Sequence, residues 1–148
     1  MAWEMINYSC GHSERQQFYG KNAARVSKKE WMEKGVCPDC YREQKRIERE
    51  KESQVAAGQA KNSGLPQLVG SEKQIAWAET LRKNSLGASQ NTIRKGYVAE
   101  TEEKKAQFEV AQNARKKLET ETSAKWFIDN RADLDTYVRD CVKAAFNM

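Results

Sequence analysis

Three of the four cysteines in this chain of 148 residues stand in two short motifs, one of which also contains the only histidine. Cys10 and His12 are separated by one glycine, and Cys37 and Cys40 by the dipeptide Pro-Asp. Three thiolates and one imidazole make a complete tetrahedral ligand set for Zn²⁺. We therefore predict one structural zinc ion per chain, bound by Cys10, His12, Cys37 and Cys40.

A complete ligand set of this kind leaves no coordination position open for catalysis. The sequence His12-Ser-Glu14 followed by Cys37-x-x-Cys40 also resembles the motif of zinc deaminases, in which the glutamate is the general acid and base. In this chain the proline follows the first cysteine of the pair instead of preceding it. Cys10 would also occupy the position of the activated water, so we expect no deaminase activity.

Other chemistry is open to the same residues. His12 could activate Cys10 as a nucleophile, although the sequence offers no third group to orient the imidazole. Four unligated thiols are the plainest alternative, and a disulfide is less expected in a chain without a secretory signal. The chain has no H-E-x-x-H motif, no glycine-rich phosphate loop and no second histidine. We therefore predict that it is not an enzyme and has no small-molecule substrate.

The composition favours a small, soluble protein rich in helix. Hydrophobic residues make up 39% of the chain and charged residues 32%, and only two prolines occur. Because no apolar run approaches the roughly 18 residues of a membrane span, we expect no membrane partner and an intracellular, cytoplasmic location. The formal net charge of +5 permits contact with nucleic acid without requiring it, and it argues against imitation of DNA.

Two short strands are expected to present the first ligand pair. Residues 3–9 and 14–19 have the pattern of β-strands, and the turn Cys10-Gly-His12 joins them. Gly11 gives this turn the backbone freedom that a metal knuckle needs. One ligand pair on a hairpin turn and the other at a helix start is similar to the layout of treble-clef zinc modules, with an extra helix inserted between the pairs.

Helices are expected between and after the two ligand pairs. Ser27 and Glu30 form a capping box that predicts a helix over 28–34, with Trp31 as its apolar anchor. The second ligand pair then begins a longer, highly charged helix that runs to about residue 60. Because its charges mix both signs, this helix could be a solvated one with internal ion pairs, or a surface that meets nucleic acid or an acidic protein.

The rest of the chain is predicted to form a helical hairpin or small bundle. Ser71 and Gln74 make a second capping box, which opens a helix through about residue 84. A break over 85–91 is expected next. The last helix is strongly amphipathic, and Cys141 lies on its apolar stripe as a core residue. After the break, a long helix is expected to run to about residue 119. A short helix is expected within 123–131, and the last, amphipathic helix over 133–146.

Together these elements predict an α+β fold that is mostly α, with a small treble-clef-like zinc module (a β-hairpin plus helices) followed by a helical hairpin or bundle. Residues 1–60 are predicted to be the zinc-binding module with its long helix. Residues 61–70 contain two glycines and a proline and are predicted to be a linker. Residues 71–148 are then the helical domain.

Two segments of the second half resemble a small family of proteins from bacteriophages and other mobile elements, for which no enzymatic activity is known. They are Leu65–Arg82, with the sequence LPQLVGSEKQIAWAETLR, and Ala124–Arg131, with AKWFIDNR. A zinc-bearing module joined to this helical segment is similar to small zinc-containing anti-CRISPR proteins. That resemblance implies a stoichiometric inhibitor that binds the nuclease Cas9 and blocks loading of the guide or of target DNA.

A regulatory nucleic-acid-binding zinc protein of a phage or mobile element is the alternative. It is motivated by the positive net charge and by the basic residues that flank the CxxC motif. The two functions differ measurably, because binding to nucleic acid would fall steeply as the salt concentration rises.

Overall fold

The computed structural model describes residues 2–97 and 100–148. Within these ranges the chain forms a β-hairpin followed by helices, and the predicted fold class, α+β and mostly α, is confirmed. In chain order the elements are β1 (Ala2–Asn7), β2 (Ser13–Phe18), α1 (Asn22–Lys34), α2 (Pro38–Asn62), α3 (Glu72–Gly96), α4 (Glu102–Thr120), α5 (Ala124–Asp129) and α6 (Tyr137–Phe146).

Contacts divide the chain into two compact units, Met1–Glu50 and Lys51–Met148. The division falls inside α2, so the C-terminal part of that helix belongs to the second unit. The sequence-based boundaries stay predictions: a zinc-binding module with its long helix over 1–60, a linker over 61–70 and a helical domain over 71–148.

The hairpin of the first unit has one buried face and one exposed face. Its antiparallel strands pair Ala2 with Phe18 and Ile6 with Glu14. Successive side chains of a strand lie on opposite faces, so Ile6 is buried whereas its neighbour Met5 is exposed. The buried residues of this unit form one cluster, Ile6, Tyr8, Phe18 and Cys37.

Helix α1 begins earlier than the sequence predicted. It starts at Asn22 with Lys21 as its N-cap, so the prediction of a helix beginning at residue 28 was wrong and Ser27 lies inside the helix. Gly20, with a φ of 98°, turns the chain sharply after β2 and lets the helix begin at once. The Ala-Ala-Arg segment that follows favours helix, so no capping box is needed at Ser27.

Trp31 does not anchor α1 in the core as predicted. Its side chain is 74% exposed, and the next residue, Met32, packs against the buried cluster instead. Consecutive helical residues point about 100° apart, so turning Met32 inward carries Trp31 outward.

The core of the second unit consists of two hydrophobic clusters. Cys141 packs against the second of them, as predicted for a core residue. An isolated parallel bridge between Val69 and Ser123 joins the segment before α3 to the start of α5. The buried members of the first cluster are Leu68, Ala78, Leu118, Ala124, Phe127 and Leu134, and those of the second are Ile93, Ala111, Ala114, Val138 and Val142.

Helix α3 begins as predicted but continues through the predicted break. Ser71 and Gln74 form the capping box, whereas 85–91 is helical. Ser85 and Ser89 are buried, and their hydroxyl groups donate to backbone carbonyls one turn earlier. Serine disfavours the helix interior when its hydroxyl competes for the backbone. Here the hydroxyls are satisfied within the helix, and the small side chains fit a buried position.

The last helix is shorter than predicted. Residues 130–136 form turns and α6 begins at Tyr137, so the prediction of a helix from residue 133 was wrong by one turn. Leu134 is nevertheless buried, together with Val138 and Val142, because the turns before α6 keep the apolar residues directed at the core.

A charged pair lies in the interior of the second unit. Arg82 is 1% exposed and donates to both carboxylate oxygens of Glu79, at 2.8 and 2.7 Å. A third bond, of 2.8 Å, goes to the carbonyl oxygen of Pro66. Charges of this kind persist in a protein interior only when they are paired and hydrogen-bonded, and this pair meets both conditions.

Candidate metal centre

The structure brings the four predicted ligand side chains together in the first unit. The Sγ atoms of Cys10, Cys37 and Cys40 and a ring nitrogen of His12 all lie within 4.8 Å of one another. His12 Nδ1 is 3.5 Å from Cys10 Sγ, 3.4 Å from Cys37 Sγ and 3.3 Å from Cys40 Sγ. The cluster is compatible with a single bound metal ion.

The spacing fits a tetrahedral ion bound by sulfur and nitrogen. With Zn–S bonds of about 2.3 Å and a Zn–N bond of about 2.0–2.1 Å, tetrahedral angles place nitrogen and sulfur about 3.5 Å apart. The three distances from His12 Nδ1 lie close to this value. The donor set is therefore already arranged as an ion of this kind requires.

A tight turn in the hairpin positions the first ligand pair. Tyr8 donates its backbone N–H to the carbonyl oxygen of His12 at 2.9 Å, and Gly11 donates to that of Tyr8 at 3.0 Å. Gly11 has a φ of 86°, a conformation that glycine adopts without steric cost. Cys10 and His12 consequently project on either side of one glycine toward the same point.

The second ligand pair is placed by the start of α2. Cys37 immediately precedes the helix and Cys40 lies in its first turn. The backbone N–H of Cys37 donates to Cys10 Sγ at 3.3 Å, and that of Cys40 to Cys37 Sγ at 3.4 Å. Amide donors at a helix N-terminus favour negative charge, and here they point at sulfur.

A further contact ties the two ligand pairs together. Ser9 donates both its backbone N–H and its hydroxyl to the carbonyl oxygen of Gly35, at 3.0 and 2.9 Å. Ser9 precedes the first ligand, and Gly35 lies two residues before Cys37. These bonds hold the hairpin turn against the connection between α1 and α2, where the second ligand pair begins.

The pKa values of Cys10 and Cys40 are shifted in opposite directions in this arrangement. The hydrogen bond from the Cys37 backbone, helped by one from the His12 backbone, lowers the pKa of Cys10 to about 6. The hydrogen bond between Cys40 and Cys37 Sγ, with burial and the neighbouring Cys10, raises the pKa of Cys40 to about 12. Like charges this close cannot all form in the absence of a cation. A divalent ion at the centre would allow all three thiolates to form.

Two features of the cluster differ from what the deaminase motif requires. An ion bound by all four side chains would have no tetrahedral position left for a water. The segment His12-Ser-Glu14 lies in the hairpin turn and at the start of β2, whereas a deaminase needs it on a helix. The carboxylate of Glu14 accepts a hydrogen bond from the hydroxyl of Tyr8 at 3.2 Å. Glu14 is thus engaged with a core tyrosine.

Cys141 is separate from this cluster, as the sequence indicated. It packs among the hydrophobic residues of the second unit. Within residues 2–97 and 100–148, the group formed by Cys10, His12, Cys37 and Cys40 is the one set of three or more Cys, His, Asp or Glu side chains close enough to share a metal ion.

Comparison of the chain with family models, with curated proteins and with solved structures finds no match. No helix in the described part of the chain is both long enough and apolar enough to cross a membrane.

Proposed function

We propose that this chain is a zinc-stabilised, non-enzymatic binding protein. The observation that carries the proposal is the Cys3His cluster. The ligand atoms of Cys10, His12, Cys37 and Cys40 lie within 4.8 Å of one another and would fill every position of a tetrahedron around one ion. A closed site of this kind contributes folding energy and leaves no position for a reacting water or substrate. Function then falls to the surfaces that the metal holds in place.

The proposed partner is the CRISPR nuclease Cas9, because a zinc-bearing module joined to the helical segment of Leu65–Arg82 and Ala124–Arg131 resembles small zinc-containing anti-CRISPR proteins. An inhibitor with a net charge of +5 would not imitate DNA. It would instead block the loading of guide or target DNA by occupying a protein surface of acidic or mixed charge.

A nucleic-acid-binding protein is the second candidate, and the pairing of charges along α2 weighs against it. Arg46 contacts Glu43 and Glu50, each at 2.6 Å, and Lys45 contacts Glu48 at 2.6 Å. Carboxylates among the cations would face phosphates as well, and cations already paired gain less from a phosphate. The net positive charge remains the observation in favour of this candidate.

A cleavage assay with purified Cas9 tests the proposed partner. Pre-incubation of several Cas9 orthologues with excess zinc-loaded protein should reduce DNA cleavage in at least one of them, and Cys141→Ala should inhibit equally. Undiminished cleavage in all of them would contradict the Cas9 proposal.

Elemental analysis tests whether the protein contains zinc, and a gel-shift series at increasing salt tests whether it binds nucleic acid. About one zinc per chain is expected, and a zinc content near zero would contradict a zinc-stabilised protein. DNA or RNA binding with a steep salt dependence, without inhibition of cleavage, would favour the second candidate.

A further inference from the structure

The first unit exposes aromatic side chains that its core does not use. Trp31 is 74% exposed and Tyr41 is 54% exposed. Both line a surface groove with a volume of about 650 Å³, which we name the Trp31 groove. Its further lining includes Met32, Lys34, Val36 and Pro38.

The lining of the Trp31 groove contributes a positive charge. Among the described residues that line it, Lys34 alone carries a charge, and Lys34 makes no ion pair within the described part of the chain. Lys45 lies over the ring of Tyr41, 5.9 Å from its centroid, while also contacting Glu48. An apolar groove with an unpaired cation in its lining is complementary to an apolar group that lies beside a carboxylate.

The metal knuckle builds part of this groove. Val36 and Pro38 flank the ligand Cys37, and Gly35 accepts both hydrogen bonds from Ser9. Pro38 has a fixed φ. Because these residues are held by the same bonds that hold the cluster, the groove is formed before any partner arrives, which lowers the entropic cost of binding.

The lining favours a protein partner over the alternatives. Tryptophan, tyrosine and methionine are enriched where proteins meet, and all three are present. A site for a small metabolite would gather several convergent polar groups, which this groove lacks. Bases could stack on Trp31, but a nucleic-acid site would also need a row of cations for the phosphates.

We propose that the Trp31 groove binds an apolar segment of a partner protein in which an aspartate or glutamate adjoins the apolar side chains. This inference rests on the proposed function, since it names the surface with which the binding protein contacts its partner and the chemistry of the segment it accepts.

Selection from a phage-displayed library of random 12-residue peptides against the zinc-loaded 148-residue chain tests this without Cas9. Enriched peptides should combine an aromatic or large aliphatic residue with a neighbouring Asp or Glu. Fluorescence anisotropy with the enriched peptide should show affinity about ten-fold lower for Trp31→Ala, as for a contact at the centre of an interface.

Trp3→Ala is the matched control. Trp3 is another exposed tryptophan of the first unit, at 56%, and it does not line the groove, so its removal should change the affinity by less than about two-fold. Lys34→Glu should reverse the selection, enriching peptides with Lys or Arg beside the apolar residues. If Trp31→Ala were to lose its zinc, the selection with Lys34→Glu alone would decide whether the groove binds the proposed segment.

Four results would overturn the proposal. The first is that no peptide is enriched, and the second is that wild type and Trp31→Ala bind the enriched peptide with equal affinity. The third is that Lys34→Glu selects the same peptides as wild type. The fourth is that Trp31→Ala abolishes a different interaction, either binding of a labelled single-stranded 20-nucleotide DNA or formation of a dimer in sedimentation. Because Cas9 takes no part in these measurements, a failure to inhibit Cas9 and a failure of the groove are distinguished.

Discussion

The two compact units differ in what holds them together. Four buried side chains form the described core of the first unit, and one of them, Cys37, is also a predicted metal ligand. The second unit has two hydrophobic clusters and a buried ion pair between Glu79 and Arg82. A segment of about 50 residues buries too little apolar surface to be stable alone and usually needs a metal or disulfides. We infer that the first unit depends on its metal and the second on packing.

The largest expected effect is loss of the first unit when a ligand is removed. Cys37→Ser should abolish zinc binding and unfold the first unit, because metal-binding free energy, about 10–16 kcal/mol in small zinc modules, is folding free energy there. The second unit should stay folded. Elemental analysis measures the zinc content. Amide hydrogen exchange, followed separately in the hairpin and in α3–α6, shows which unit has unfolded.

Two variants control that result. Cys141→Ala should keep about one zinc per chain, and Cys40→Ser should behave like Cys37→Ser. Zinc content that is unchanged by Cys10→Ser and His12→Ala would show that the ligand assignment is wrong. Simultaneous loss of protection in both units would contradict the contrast between them.

The second-largest expected effect is a loss of stability when the buried ion pair of the second unit is broken. Arg82→Met should destabilise it by about 3–5 kcal/mol, because Glu79, itself 7% exposed, would be left buried without its partner. Urea unfolding with the metal bound measures this change. The double variant Arg82→Met with Glu79→Leu should recover most of the loss, and equal losses in the single and double variants would contradict the explanation.

A smaller, pH-dependent contribution is expected at the end of α4. A hydrogen bond from Lys117, and others from the backbone of Ser123 and Thr122, lower the pKa of Glu121 below 4.5. The folded protein therefore binds this proton less tightly than the unfolded chain. The stabilisation is complete above the unfolded pKa and is lost as the pH falls through the folded one.

Glu121→Gln removes that contribution. It should cost about 1–2 kcal/mol at pH 7, with a difference from wild type that shrinks below about pH 4. Exchange of the Ala124 amide, which donates to the carbonyl oxygen of Val69 at 3.1 Å, follows the second unit independently of the metal. A difference that stays constant down to about pH 3 would exclude the carboxylate as its source.

The smallest effect compares two serines with the same sequence pattern. Ser71→Ala should destabilise the second unit by about 1 kcal/mol, because Ser71 Oγ accepts from the Gln74 backbone N–H at 3.3 Å. Ser27→Ala should change the first unit by less than about 0.5 kcal/mol, since Ser27 lies inside α1. Chemical unfolding of each unit checks the pair, and equal losses would show that neither serine acts as a cap.

The sequence was informative where a feature depends on residues close in the chain. The ligand pairs Cys10/His12 and Cys37/Cys40 are each set by a single turn, and so is the capping box at Ser71. Each could therefore be predicted from spacing, although the use of the four side chains as ligands stays a prediction.

Some features that depend on distant packing were predicted wrongly. Ser85 and Ser89 have the composition of a break, but their burial in the second unit keeps them helical. Trp31 was expected to pack inward, yet it is exposed. Trp77 of α3 is exposed as well and lies under the guanidinium of Arg131 at 5.8 Å. Which side of a helix meets the core is decided by its neighbours in space, and the residue pattern of α1 and α3 is too evenly charged to specify it.

The separation of the two ligand pairs has a consequence for the order of folding. Cys10 and Cys37 are 27 residues apart, and closing a chain loop of that length costs about 3 kcal/mol of entropy beyond a constant. Cys37 and Cys40 lie within one turn and can meet a metal ion before that loop closes. We therefore expect zinc to bind first to the start of α2 and the hairpin to close onto it afterwards, so that the rate at which the first unit folds rises with zinc concentration.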